Sequence, residues 1–216
     1  YSPERINPGD NKKKLKNINK IVGATDVKTT NLVSSLYQKI ILPKIYKTSS
    51  IIIAESSKII ENTQRDLNIA LMNELSIIFS KLNVDTKEVI DAASTKWNFN
   101  TYYPGMVGGH CIGVDPYYLS HISEKLGYVP KLILSGRKIN EDVSKFVYNK
   151  ILSLTSKKNI NINKSKILIL GATFKKNCPD IRNSKVFDLI NIFKKRAQKV
   201  HFYDPYLINK NHKYQN

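Results

Sequence analysis

Lys166-Ile-Leu-Ile-Leu-Gly171 and Val200-His-Phe-Tyr-Asp-Pro205, separated by a helical pattern over Ser184–Lys195, carry the reading of the fold. The first run is a short apolar segment of buried-strand type stopped by a glycine, and the second is a strand closed by Asp-Pro. Asn183 or Ser184 is the expected helix cap. Strand, helix, strand in that order begins a doubly wound parallel sheet. Upstream the pattern turns helical. Between Ala54 and Leu82, Ile59, Ile60, Leu67, Ala70, Leu71, Leu75, Ile78, Phe79 and Leu82 recur at helical spacing, with apolar residues on more than one stripe, as in a helix packed on several sides. Further helices are expected over Thr86–Ser94, Pro116–Leu126 and Leu132–Leu154, the last two separated by a break at Gly127 and Pro130. Nearer the start, Ile18–Ala24 reads as a strand, Thr29–Ile41 as a helix and the β-branched run Ile45–Ile53 as a strand. The predicted class is therefore α/β: a strand–helix–strand segment (1–53), an all-helical central domain (54–155) and the start of a doubly wound, Rossmann-like parallel sheet (156–216).

The chain has 216 residues and 41% apolar content, enough for one large or two small globular domains. No apolar run reaches the ~18 residues of a membrane span, and no signal peptide is visible. Cys111 and Cys178 are too few for a disulfide framework and suit a reducing cytoplasm. The net charge of +18 raises nucleic-acid binding, but 30 of the 35 basic residues are lysines scattered along the chain, and arginine, the better reader of bases and phosphates, is scarce. That pattern is a compositional bias, so no nucleic-acid or membrane partner is expected. No Cys/His zinc spacing occurs. Tyr1 and the residues after it read as a loop leaving an earlier domain, so a longer parent protein is expected.

The chemistry concentrates in Pro104-Gly-Met-Val-Gly-Gly-His-Cys-Ile-Gly-Val-Asp-Pro-Tyr-Tyr-Leu-Ser120. Glycines at 105, 108, 109 and 113 allow close approach of a ligand. Asp115-Pro116 reads as an N-cap followed by proline at the first helical position. Cys111 would then lie close to a helix N-terminus, whose partial positive charge favours a thiolate. A lone cysteine is also compatible with a small buried hydrophobe, and Asp-Pro with a simple cap. Lys58 and Asn62, four apart on the long helix, share a face and want a polar partner, unless they belong to a solvated stripe with Arg65 and Asp66. Cys178, before Pro179 and without an acid–base neighbour, reads as structural.

The cysteine loop resembles the active-site loop of the UDP-glucose/GDP-mannose dehydrogenase family, in which Gly-Gly-x-Cys-x-x-x-Asp carries the catalytic thiol. The version His-Cys-Ile-Gly-Val-Asp-Pro-Tyr-Tyr-Leu is similar to the branch acting on UDP-N-acetylhexosamines. The likeness runs from Tyr-Ser-Pro-Glu-Arg-Ile-Asn-Pro-Gly-Asp at 1–10 to Val-His-Phe-Tyr-Asp-Pro at 200–205. It implies an NAD-dependent dehydrogenase that oxidises a sugar C6 alcohol to the carboxylate in two hydride transfers, through thiohemiacetal and thioester adducts on Cys111, in service of surface polysaccharide synthesis. The family's N-terminal NAD domain would be missing apart from its last elements, and the C-terminal domain cut short. If so, the alternative is an inactive piece that keeps dimerisation and UDP-sugar binding.

Residue by residue, the resemblance implies catalytic roles for Cys111, Asp115, Lys58 and Asn62, with Glu4 helping to place water for hydrolysis. Four residues after Glu4, where the UDP-glucose enzymes carry a second glutamate, this chain has Pro8. Tyr102–Gly108, with Tyr102, Tyr103, Gly105 and Gly108, matches the segment that wraps the sugar. Phe174 and Lys175, in Gly-Ala-Thr-Phe-Lys, would contact the nucleotide sugar, and Arg182 and Val114 the NAD. Arg137 resembles an arginine that reaches the substrate from a partner subunit; read alone, it is a surface arginine on a helix. The helix over 54–82 would form a homodimer interface.

Overall fold

The computed structural model describes residues 1–7, 9, 10 and 13–207, so Pro8 lies outside the described residues. The chain divides after Thr63 into two compact units.

In the first unit, strand β1 (Lys20–Val22) pairs in parallel with β2 (Ile45–Lys47), with Ile21 opposite Tyr46, and helix α1 (Val27–Gln38) connects them. Asp26 starts α1 because its Oδ1 accepts the Thr29 amide at 2.7 Å. Val22, Ile41 and Ile45 form the core, with Leu15, Val33 and Tyr37 packed on it. Strands and a helix occur here as expected, with one correction. The strand predicted over Ile45–Ile53 ends at Lys47, and Ile51–Ile53 open helix α2 (Ile51–Leu82). The Ser50 hydroxyl accepts the Ile53 amide at 3.4 Å, and this cap overrides the β preference of three branched residues.

The second unit holds the remainder of α2, then α3 (Thr86–Ala93), α4 (Asp115–Lys125) and α5 (Lys131–Lys157). Gly127, at φ 81°, ends α4, and the Tyr128 amide donates to the Ser123 carbonyl at 3.0 Å. A side chain at that φ would be strained, which is why the helix breaks at this glycine. Beyond α5, β3 (Lys166–Leu170), α6 (Lys185–Lys194) and β4 (Lys199–Tyr203) form the parallel layer, in register from Lys166 opposite Lys199 to Leu170 opposite Tyr203. Its core is Tyr148, Leu189 and Phe193, the two rings edge to face at 5.0 Å, with Ile167, Ile169 and Val200 packed against them.

Strand β3 was expected to be buried on both faces, but it alternates. Ile167 and Ile169 face the helices, whereas Leu168 and Leu170 are 60% and 74% exposed. Only the face toward α5 and α6 is covered among the described residues, and the side-chain period of a strand sends every second residue the other way. The turn after β3 is tied to the end of β4 by Asp204, whose carboxylate accepts the amides of Ala172 (2.8 Å), Thr173 (3.0 Å) and Tyr206 (2.9 Å). Burial pushes this carboxyl up, but the three N–H donors outweigh it and hold it below its ordinary value.

Candidate active site

Cys111 is exposed, in a tight turn whose carbonyl accepts the amides of Val114 (3.1 Å) and Asp115 (2.8 Å). That turn already winds in the helical sense. Asp115 is consequently the first residue of α4 rather than its cap, which corrects the sequence expectation; Val114 holds the cap position at φ −118°, ψ −46°, with no side-chain bond. Cys111 remains within one turn of the helix start.

The loop carrying Cys111 is seated on the turn after β3. Gly109 has φ 86°, and a Cβ there would stand 2.8 Å from the Phe174 ring; one on Gly108 would meet the Asn183 carbonyl at 2.6 Å. The Asn183 amide also donates to the Gly109 carbonyl at 3.3 Å. Glycine is required here twice over, for backbone conformation and for contact. Gly109→Ala is expected to cost about 1–2 kcal/mol from the left-handed backbone alone, with the clash added, and to loosen the cysteine loop. Urea unfolding, together with the rate at which Cys111 is alkylated in the folded protein, checks this.

Beside this contact lies a cavity of about 220 Å³ lined by Val107, Gly108, Val114, Arg137, Asn183 and Ser184, among others. Three expected site residues, Gly108, Val114 and Arg137, thus meet on one wall. Arg137 is not a surface arginine. It is 3% exposed, its Nη1 bonds Asp66 Oδ1 at 2.6 Å, and its guanidinium lies 5.5 Å from the Tyr117 ring centre. Asp66 is fully buried, although one reading of the sequence placed it on a solvated stripe. Burial pushes its carboxyl up, against the pull of Arg137. Tyr117 donates to Glu141, which also sits 3.5 Å from Arg137 Nη2.

The remaining expected residues are placed as follows. Tyr103 donates its hydroxyl to Asp91 at 2.8 Å, tying the loop to α3, and Tyr102 is half-buried. Gly105 is bound to Asn73, its N–H donating at 2.9 Å and its carbonyl accepting at 3.0 Å. Lys175 follows Phe174 in the turn and is half-buried. Arg182 is paired with Asp180, Nη2 to Oδ2 at 2.7 Å, and that bond holds the Asp180 carboxyl at about 2. With the folded value depressed below 3.8, the pair's contribution is present above the ordinary carboxylate range and disappears as pH falls toward 2. Carboxyl NMR should find this low midpoint, and Arg182→Ala should return it toward 3.8.

Glu4, Lys58 and Asn62 belong to the first unit. Glu4 Oε1 accepts the amides of Arg5 and Ile6, both at 2.7 Å. Lys58 is half-buried and Asn62 is 5% exposed. Asp66, Asn73 and Asn140 had been given no role from sequence, yet they hold the loop and Arg137. A signal existed in the spacing: Asp66 and Asn73 are seven apart on α2, flanking buried Ala70, while Arg137 and Asn140 are three apart on α5. Among the described residues no group of three or more His, Cys, Asp or Glu is placed to hold a metal, and no helix is long and apolar enough to cross a membrane.

Helices leading into a parallel βαβ layer define an α/β protein, and an exposed thiol on a glycine loop lies against that layer's first turn. Comparison makes this specific. Residues 53–142 match the central domain of the UDP-glucose/GDP-mannose dehydrogenase family, and residues 168–216 match its UDP-binding domain. The UDP-N-acetyl-D-glucosamine 6-dehydrogenases of Salmonella typhi and Pseudomonas aeruginosa are 52% and 47% identical over 207 residues, 96% of this chain and 49% of each relative. The structure of a UDP-D-ManNAc dehydrogenase from Pyrococcus horikoshii is similar at a TM-score of 0.87 and 34% identity, over 95% of this chain and 48% of that one. The chain belongs to the UDP-glucose/GDP-mannose dehydrogenase family, and it spans about half the length of the curated relatives it matches.

Proposed function

We propose that the protein containing this chain is an NAD-dependent UDP-N-acetylhexosamine 6-dehydrogenase. One observation carries the reading: exposed Cys111 sits on a loop whose glycines are seated on Phe174 of the UDP-binding domain, beside a cavity that also holds Arg137. A thiol next to a nucleotide-sugar site is what covalent capture of a C6 aldehyde requires.

Lys58, Asn62 and Asp115 would assist loss of the C6 hydroxyl proton, the lysine ammonium offsetting the developing negative charge. Cys111 would add its sulfur to the resulting aldehyde carbon, the thiol proton going to the aldehyde oxygen. Loss of a second hydride from the thiohemiacetal carbon, with its hydroxyl proton released to the Asp115 carboxylate or water, would leave a thioester. Water placed by Glu4 and Asp115 would cleave it, releasing carboxylate and thiol. Capture at each stage keeps the aldehyde from escaping, so a four-electron oxidation completes at one thiol. Tyr102, Tyr103, Gly105, Gly108, Phe174, Lys175 and Arg137 would hold the nucleotide sugar.

NAD, when bound, would accept the hydride in both steps. The residues present fit its polar edge. Ser184 Oγ is buried at the cavity without a protein hydrogen-bond partner, and the Arg182 side chain is 68% exposed beside the same turn. Arg182 and Val114 are the residues of this chain that would face it. Two copies would associate through the helix spanning 54–82, whose Ile60, Leu71 and Ile78 are 56%, 49% and 45% exposed. The enzyme would work in the cytoplasm, and its UDP-hexosaminuronic acid product would feed surface polysaccharide such as capsule.

The test is NADH formation by the full-length protein with UDP-N-acetylglucosamine and its galactosamine and mannosamine epimers. Two NADH per sugar from one of them is the expected result. No NADH from any of the three overturns the reading.

A further inference from the structure

Four buried side chains connect the sugar loop to the cavity. Asp66 and Asn140 are fully buried, Asn73 is 2% exposed and Arg137 3%. Arg137 Nη1 donates to Asp66 Oδ1 at 2.6 Å, and Asn140 Nδ2 donates to the same oxygen at 2.7 Å and to the Asp66 carbonyl at 2.9 Å. Asn140 Oδ1 accepts from Asn73 Nδ2 at 2.8 Å. Asn73 then spans the backbone of Gly105, giving Nδ2 to its carbonyl at 3.0 Å and taking its N–H at Oδ1 at 2.9 Å.

The direction of the bonds in this relay is fixed at both ends, by the Asp66 carboxylate and carbonyl at one and by the N–H and C=O of Gly105 at the other. An ionised carboxylate only accepts, so Asn140 must turn its NH2 toward Asp66 and its oxygen toward Asn73. Asn73 must meet that oxygen with its own NH2, which leaves its oxygen for the Gly105 N–H. The groups touch directly and are buried, and a reversed amide would put NH2 against NH2 or oxygen against oxygen.

We propose that Asp66 is a positioning residue for the substrate loop: its carboxylate anchors the Asn140–Asn73 relay that fixes Gly105, while holding Arg137 at the cavity. The proposal rests on the dehydrogenase reading for what the loop binds, but not for the relay itself. Asp66 touches no substrate. It acts through Asn73 on the loop and directly on Arg137.

The test uses Asp66→Asn in the full-length protein. This variant keeps the shape but replaces a charged acceptor shared by Arg137 and Asn140 with a neutral amide, which weakens the anchor at that end of the relay. Two readouts separate the relay from the function. Hydrogen exchange at the Gly105 amide should accelerate about tenfold while the amides of α5 beyond Val143 are unchanged. The KM for the UDP-N-acetylhexosamine should rise about tenfold with the KM for NAD unaltered, and adding Asn140→Ala should make it little worse, because members of one network are not additive. Should Asp66→Asn fail to fold, Asn73→Ala with Asn140→Ala forms the same cycle. Unchanged exchange at Gly105, or effects that multiply in the double variant, overturn the relay. If the unsubstituted protein binds none of the three UDP-sugars, the dehydrogenase reading falls, and exchange at Gly105 still decides the relay.

Discussion

Cys111→Ser in the full-length protein is expected to lower NADH formation from a UDP-N-acetylhexosamine by about a thousandfold or more, the scale seen when a covalent nucleophile is removed. The loss is chemical, not structural. Cys111 is exposed, and the bonds that shape its turn come from its backbone carbonyl to Val114 and Asp115, so serine leaves the loop as it was. Stability should stay within about 0.5 kcal/mol, the range of ordinary surface substitutions. What changes is the attacking atom: a serine hydroxyl is a poor nucleophile unless a base activates it, whereas a thiol supplies some thiolate near neutral pH. Turnover at a rate near that of the unsubstituted enzyme would exclude the covalent route through this residue.

The second large effect is on folding. Removing the Asp66 carboxylate with Asp66→Ala leaves the Arg137 guanidinium at 3% exposure with only the longer contact to Glu141 at 3.5 Å. Breaking the close side of a buried pair in this way costs about 3 kcal/mol, because the remaining charge is not solvated and only partly compensated. Replacing both, as Asp66→Leu with Arg137→Met, should recover most of that loss, since an apolar pair of similar volume needs no compensation. Urea unfolding of the three proteins gives the comparison. A double variant as unstable as Asp66→Ala would mean that the loss comes from the Asn140 and Asn73 bonds rather than from the stranded charge.

What could be read in the sequence was what depends on near neighbours. The layer formed by β3, α6 and β4 announces itself through Lys-Ile-Leu-Ile-Leu, a cap at Ser184 and a strand closed by Asp-Pro. Gly127 marks the end of α4 because a single residue's φ decides it. Ile51–Ile53 misled because branched residues favour strands on average, while one serine hydroxyl at position 50 sufficed to start a helix. Asp115 misled by one position, since the turn made by Cys111 upstream had already begun the helical winding. Asp66 and Arg137 were legible only as a charge on each of two helices. Their burial exists because Gly136, next to Arg137, lets α5 approach Leu67 and Ala70 of α2 closely, and a contact between residues 71 apart leaves little local trace. The cysteine loop was the reverse case: its glycines were read as room for a ligand, whereas two of them, Gly108 and Gly109, are packed against Asn183 and Phe174 of the same chain, neighbours that no local pattern marks.

The grip of Asn73 on Gly105 resembles the pairing a neighbouring strand would offer, one donor and one acceptor to a single peptide unit. Such a grip ignores side chains. Around Gly105 itself there is open space, with nothing within 4 Å of where a Cβ would stand. The backbone of this residue therefore does the anchoring, and its side-chain position stays open. A lineage could exchange the residue at 105, and with it the group the loop displays, without renegotiating how the segment is held, so the place where this loop can most readily change is also a place where it is firmly fastened.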